Sequence, residues 1–211
     1  METERADAIV LRVRPVTESS LIVTWFTRES GKLKTMAKGA RRPKSPFRGK
    51  IDLFYVDEIL FLRSKRSDLH LLSDCYLNEP HARLRDSVAT LTAASYISEL
   101  VDEATAAEDV NPAIFDLLAE TLGQLEKEIS ASLLLWFELR LLAAAGWRPQ
   151  WSAATATGRV LRSLAAARRV QPLRLTGAQV AEARRMVWTF WDATVARPSR
   201  TRKLLEEQIQ H

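Results

Sequence analysis

The 211-residue sequence predicts an α+β protein: a small five-stranded barrel over residues 1–78, then an α-helical domain over 79–211. Three observations predict it. Up to about Tyr76 the apolar residues alternate or run in short blocks, broken by Gly, Pro and polar clusters, as in strands joined by turns. Past Pro80 they recur at three and four residues, the spacing of one helix face. The charge changes with the period: residues 1–78 carry 15 Lys/Arg against 10 Asp/Glu, 79–145 carry 4 against 12, and 146–211 carry 12 against 4. A basic first block, an acidic middle and an arginine-rich end imply at least two surfaces with different partners.

The elements follow in order. Ala8–Arg14 alternates, placing Ile9, Leu11 and Val13 on one face and Arg12 and Arg14 on the other, until Pro15 ends the run. Leu21–Thr27 is β-branched and aromatic and reads as a buried strand with Trp25 and Phe26 in the core. Gly31 closes a turn into a third strand, Leu33–Lys38. Residues 39–50 hold two glycines, two prolines and five cations and form a loop. Asp52–Arg63 and Leu69–Tyr76 supply the last two strands of a closed or partly open barrel. After a short linker at Asn78-Glu79-Pro80, helices are predicted over the Leu84–Leu100 region, from Pro112 to about Glu128, over Ser132–Ala145 ending at Gly146, over Gly177–Val195, and over Arg202–Gln210.

Several chemistries are excluded or disfavoured. The only cysteine, Cys75, cannot form an internal disulfide or a Cys-based zinc site, and it reads as a small packed residue of a chain in reducing surroundings. No run is long and apolar enough to span a membrane, and Met1–Ala8 lacks a signal-peptide core. The expected location is cytoplasmic. His70, His81 and His211 stand in no ligand or nucleophile motif. Gly31-Lys32 is followed by Leu33 and preceded five positions back by Phe26, so the phosphate cradle of a P-loop is not there. Asp57 and Glu58 would point to opposite faces of a strand, and Glu108-Asp109 would lie in a solvated loop, so neither pair suits two-carboxylate catalysis. No enzyme and no cofactor are expected.

Binding is a better match. Residues 28–50 hold nine Lys/Arg and one acid, Glu29. Lys32, Lys34, Lys38, Arg41, Arg42, Lys44, Arg48 and Lys50 suit a polyanion, because neutralising phosphates releases their condensed counterions. Phe47 lies among them, either as an anchor folded back on the barrel or as a stacking platform for bases. The arginine-rich end, Arg159 to Arg174, is a second cationic stretch. On the Gly177–Val195 helix, Val180, Val187, Trp188 and Trp191 form an apolar face flanked by Arg184 and Arg185. It is either core or a groove for an acidic, hydrophobic-tipped peptide.

These residues also fall in a known pattern. Ala8-Ile9-Val10-Leu11, Glu18-Ser19-Ser20-Leu21, Phe26-Thr27 with Gly31-Lys32-Leu33, and above all Ala37 to Ser45, followed by Asp68-Leu69-His70, Tyr96 to Val101, and Phe137 to Leu142 with Gly146 and Pro149, together resemble the RecO family over roughly residues 5–150. The resemblance implies an OB-fold barrel followed by a helical domain. It implies a recombination mediator, nucleoid-associated, that binds single- and double-stranded DNA and anneals strands. Its implied partners are RecR and the acidic C-terminal tail of single-stranded DNA-binding protein, through which RecA is loaded. Lys38, Arg41 and Arg42 match the family's barrel-face cations, and Arg140, Arg184 and Trp188 are candidates for partner binding. Many members carry a Cys-x-x-Cys after the equivalent of Pro149, and some bind zinc there; here Ala154 and Thr157 stand in its place, so no metal is expected. Two other classes remain open: a protein–protein adaptor with secondary DNA binding, and an RNA-binding barrel.

Overall fold

Alternation closes the first part of the chain into a barrel. The computed structural model describes residues 3–170, 175–195 and 199–209; Arg174, Gln210 and His211 lie outside the described residues. Five strands, β1 (Thr3–Pro15), β2 (Leu21–Thr27), β3 (Gly31–Ala37), β4 (Val56–Leu62) and β5 (Leu69–Glu79), close in the order β1-β2-β3-β5-β4. Every pairing is antiparallel except β3 with β5. This five-stranded closure is the OB fold. Val10, Val23, Trp25, Leu33, Ile59 and Phe61 are among the residues that fill its core. The Trp25 indole N–H would be costly to bury alone, and it donates to Thr35 Oγ1 at 2.8 Å.

Three features differ from the sequence pattern, the first two for local reasons. The β1–β2 register shifts between Val10 and Arg12. One extra residue in a period-two strand reverses its phase. Ala6, Ala8 and Val10 therefore face the core before the bulge and Val13 after it, while Ile9 is buried outside that cluster. β4 begins at Val56, not at Asp52, because Phe54 takes a positive φ of 69° and the chain folds back on β1, with Phe54 N donating to Val10 O and Val10 N to Tyr55 O, both at 3.0 Å. A further helix, absent from the expected list, appears after Gly146.

Contacts group the chain into two units: Met1–Ala82 with Thr105–Ala119, and Arg83–Ala104 with Glu120–His211. Within the first, residues 107–109 lie against the β2–β3 turn. Glu108 N donates to Lys32 O at 2.8 Å, and a Cβ on Gly31, whose φ is +64°, would sit 2.2 Å from the Asp109 carbonyl oxygen. Glu108 is exposed but tied, since Arg63 bridges it at 2.6 Å and Glu4 at 2.5 Å.

The second unit is built around α3 (Ala131–Ala144), which is buried along most of its length. α1 (Val88–Ala104), α4 (Ala156–Ala166) and α5 (Gly177–Thr194) pack on it, and α6 (Arg202–Ile209) packs on α1. α2 (Pro112–Leu125) starts in the first unit and ends in the second. Glu99 receives Ser199 Oγ, Arg200 N and Thr201 N, which docks the start of α6 on α1. Among the described residues no helix is long and apolar enough to cross a membrane.

Candidate nucleic-acid interface

The run after β3 is a chain of successive tight turns. Arg42 N donates to Gly39 O, Ser45 N to Arg42 O, Arg48 N to Ser45 O and Lys50 N to Phe47 O, all at 3.0–3.2 Å. Two tethers fix it to the β1–β2 connection: Arg41 N reaches Ser19 O at 3.0 Å, and the Arg41 guanidinium reaches Thr17 O at 3.1 Å. The third anchor is Phe47, 6% exposed and part of the barrel core cluster. The stacking expectation for Phe47 is therefore corrected: its ring is spent on the core, between a proline and an arginine that face water.

The cations then sort by partner. Lys38, Arg41, Arg42, Lys44 and Arg48 are exposed, and among the described residues none meets a carboxylate. Lys34, although exposed, is held by Asp68 at 2.9 Å. Lys50 is half-buried, faces Asp74 at 3.8 Å and lies 5.4 Å from the Tyr76 ring centre. Lys32 is half-buried beside the 107–109 segment. Sequence reasoning missed the other side of this surface. Thr17, Ser19 and Ser20 join Lys38 and Arg42 around a groove of about 390 Å³. The signal was the Thr-x-Ser-Ser run after Pro15, whose hydroxyls are acceptors and donors of the size phosphate oxygens use.

Below the loop sits a buried acid. Asp57 is fully buried, and neither carboxylate oxygen has a hydrogen-bond partner among the described residues. Burial pushes its pKa up to about 7, against the pull of Cys75 and Lys50. Burial likewise raises the Cys75 thiol, so Cys75 is a packed neutral residue and not a nucleophile.

The second unit has its own cavity, of about 760 Å³, lined by Val180, Arg184, Arg185, Trp188 and Arg202 and by the acids Asp192 and Glu206, with Arg202 paired to Asp192 at 2.7 Å. The α5 stripe expected as one face divides here. Val187 and Trp191 are fully buried, whereas Val180, Arg184 and Trp188 border the cavity. Trp188 Nε1 donates to Glu138 Oε1 at 3.0 Å, and the Arg184 and Arg202 guanidinium carbons lie 6.0 and 5.1 Å from the Trp188 ring centre. Glu138 is buried, which raises its pKa, while donors from Tyr96 and Trp188 pull the other way. Arg184 is only 9% exposed and one of its terminal nitrogens has no partner among the described residues. Arg140, on α3, is half-buried and does not line this cavity.

Where a zinc-binding pair would fall, Ala154 is exposed and Thr157 is buried and donates to Glu182; neither supplies a thiolate, so the residues present do not fit zinc.

Comparison with known proteins agrees with both halves. Residues 1–81 match the family model "Recombination protein O N terminal", and residues 85–190 match "Recombination protein O C terminal". A protein named DNA repair protein RecO from Syntrophobacter fumaroxidans is 36% identical over 164 residues, covering 77% of this chain and 65% of the relative. One of the same name from Syntrophus aciditrophicus is 33% identical over 148 residues, covering 70% and 57%. Another, from Salinibacter ruber, is 40% identical over 121 residues, covering 57% and 46%. The matched stretch thus spans about half to two thirds of these relatives' length.

Proposed function

This chain belongs to the RecO family, and on that premise we propose that it is a DNA repair and recombination mediator that binds DNA through the unpaired cations of its barrel. The observation that carries the reading is the contrast within residues 32–50. Five exposed cations on a hydrogen-bonded loop have no carboxylate of their own among the described residues, while Lys34 and Lys50 do. A fixed array of unmatched cations favours the phosphate backbone, which places the strand without reading its sequence. Single- and double-stranded DNA are both substrates, and strand annealing follows from holding backbone while leaving base edges open to pair.

The partner side of the reading rests on the Arg184–Trp188 cavity. A nearly buried guanidinium with an unused nitrogen beside an indole suits a peptide that ends in a hydrophobic side chain and a carboxylate. The acidic tail of single-stranded DNA-binding protein has that chemistry. With RecR, such contacts help load RecA on coated strands.

The test is a fluorescence-anisotropy titration of a labelled thymidine oligonucleotide against Lys38→Glu with Arg41→Glu. Affinity is expected to fall about ten-fold or more at low salt. Unchanged affinity removes the barrel reading. For the cavity, a labelled acidic tail peptide is expected to bind the wild-type chain and to lose most of its affinity in Arg184→Gln.

A further inference from the structure

The turn between α3 and α4 carries a second aromatic and cationic surface. Residues 146–170 contain five arginines and no Asp, Glu or Lys. The chain leaves α3 at Gly146, where Trp147 N donates to Leu142 O at 2.8 Å. Trp147 then meets Trp191 edge-on at 5.8 Å, and Trp151 meets Phe190 edge-on at 6.3 Å. Both rings stay partly exposed. The turn is tightly packed: a Cβ on Gly158 would fall 1.9 Å from Ser152 O, so only glycine lets the start of α4 approach the chain beside Trp151. Between the rings opens a groove of about 540 Å³, floored by Leu139, Ala143 and Ala165 and flanked by Arg148 and Arg162. Both arginines are exposed, and among the described residues neither has a hydrogen bond or ion pair. Arg159 differs, because it donates to Ala153 O at 3.1 Å and to Ala154 O at 3.3 Å and so ties down the turn.

We infer that this groove is a single-strand nucleic-acid subsite of the helical unit, with bases stacking on Trp147 and Trp151 and phosphates meeting Arg148 and Arg162. Preordered rings with a free face stack on any base, and exposed guanidiniums on either side match a polyanion whose charge is spread along its length. An acidic peptide terminus is the poorer match, since it needs a desolvated cation, which the Arg184 cavity has and this groove lacks. The inference rests on the reading that this chain handles DNA, but not on the barrel loop as the contact. A chain with two separate strand subsites could hold two strands at once.

The experiment is an intrinsic tryptophan fluorescence titration of the full chain with a thymidine oligonucleotide. Trp25, Trp136, Trp188 and Trp191 are buried, so quenching on binding reports chiefly Trp147 and Trp151. The wild-type signal is expected to fall on saturation. Arg148→Glu with Arg162→Glu, both surface changes, is expected to remove most of the quench and weaken binding about five-fold or more. Trp151→Leu should remove about half of the quench. In a chain carrying Lys38→Glu, Arg41→Glu and Arg42→Glu, the quench should persist at higher oligonucleotide concentration. A quench that survives Arg148→Glu with Arg162→Glu overturns the groove and leaves the barrel reading standing. A wild-type chain that binds the oligonucleotide without any quench overturns it as well.

Discussion

The barrel displays two populations of cation, and they differ in what each one faces. Arg5 is matched to Glu58, Arg28 to Asp116, Lys34 to Asp68, Lys50 to Asp74, and Arg63 to both Glu4 and Glu108. Lys38, Arg41, Arg42, Lys44 and Arg48 have no such match among the described residues, and all five lie on one run of turns, whereas the other exposed cations without a match, Arg14, Lys65 and Arg66, lie elsewhere on the barrel. A cation paired in place has its field cancelled nearby and steadies the fold. A cation left unpaired beside others of its sign raises the energy of the free protein, and that energy is recovered when a polyanion arrives. The comparison assigns structure to the first set and binding to the second, and it can be broken at several points.

The largest effect belongs to the residue that keeps the unpaired set together. Phe47→Ala empties a nearly buried site in the barrel core and is expected to cost about 3–5 kcal/mol in a urea melt. DNA affinity should fall with it, because the loop loses its anchor. A variant that stays as stable as wild type yet binds DNA poorly would return Phe47 to a contact role.

The next effect contrasts an unmatched acid inside with unmatched cations outside. Buried without hydrogen bonds, Asp57 keeps its proton to about pH 7, whereas an unfolded chain releases it near its ordinary 3.8. The folded state therefore binds more protons across that window. Stability from this group is full below the ordinary value and declines as pH rises toward 7, by about 1.4 kcal/mol per pH unit, then levels off. Groups facing it are Cys75 and Lys50. Asp57→Asn should flatten the decline when melting temperature is followed from pH 5 to pH 8. An unchanged slope would mean the proton sits elsewhere.

Charge reversal of the unpaired set comes third. Lys38→Glu, Arg41→Glu and Arg42→Glu together should reduce the slope of log affinity against log salt by about 2 for single strands, with the melt within about 1 kcal/mol of wild type. A stability loss without a change in salt slope would erase the distinction between the two populations.

How far this was readable from sequence depends on the range of the interaction. Alternation and turn residues are local, so the five strands, their closure and most of the helices could be read off directly. The bulge at Leu11 could not, because Ile9, Leu11 and Val13 alternate regularly and only the β2 partner reveals the extra residue. α4 is amphipathic, with Leu161 and Leu164 buried and Arg159, Arg162 and Ser163 exposed, but it is only 11 residues long and holds Gly158 near its start, so its stripe does not stand out. For the site, the cluster of cations was plain, but not which were already matched. Lys34 meets Asp68 because β3 and β5 run side by side, a neighbourhood set by topology alone. Phe47 between Pro46 and Arg48 looked like any loop residue, and its burial follows from the turns on either side.

The smallest expected effect is the sharpest control. Arg28 and Asp116 are both well exposed, so solvent screens their attraction, and Arg28→Gln is expected to change stability by no more than about 1 kcal/mol. Part of any loss would come from its packing on Phe115, where the guanidinium carbon lies 5.0 Å from the ring centre. Its effect on DNA should be smaller still, within about two-fold in affinity, because the charge removed was already cancelled by Asp116. Arg28 belongs to the same cation-rich stretch as Lys38 and Arg41, so a model based on local composition predicts similar losses for all three. A loss at Arg28→Gln as large as that at Lys38→Glu would show that pairing is irrelevant and that only total charge counts.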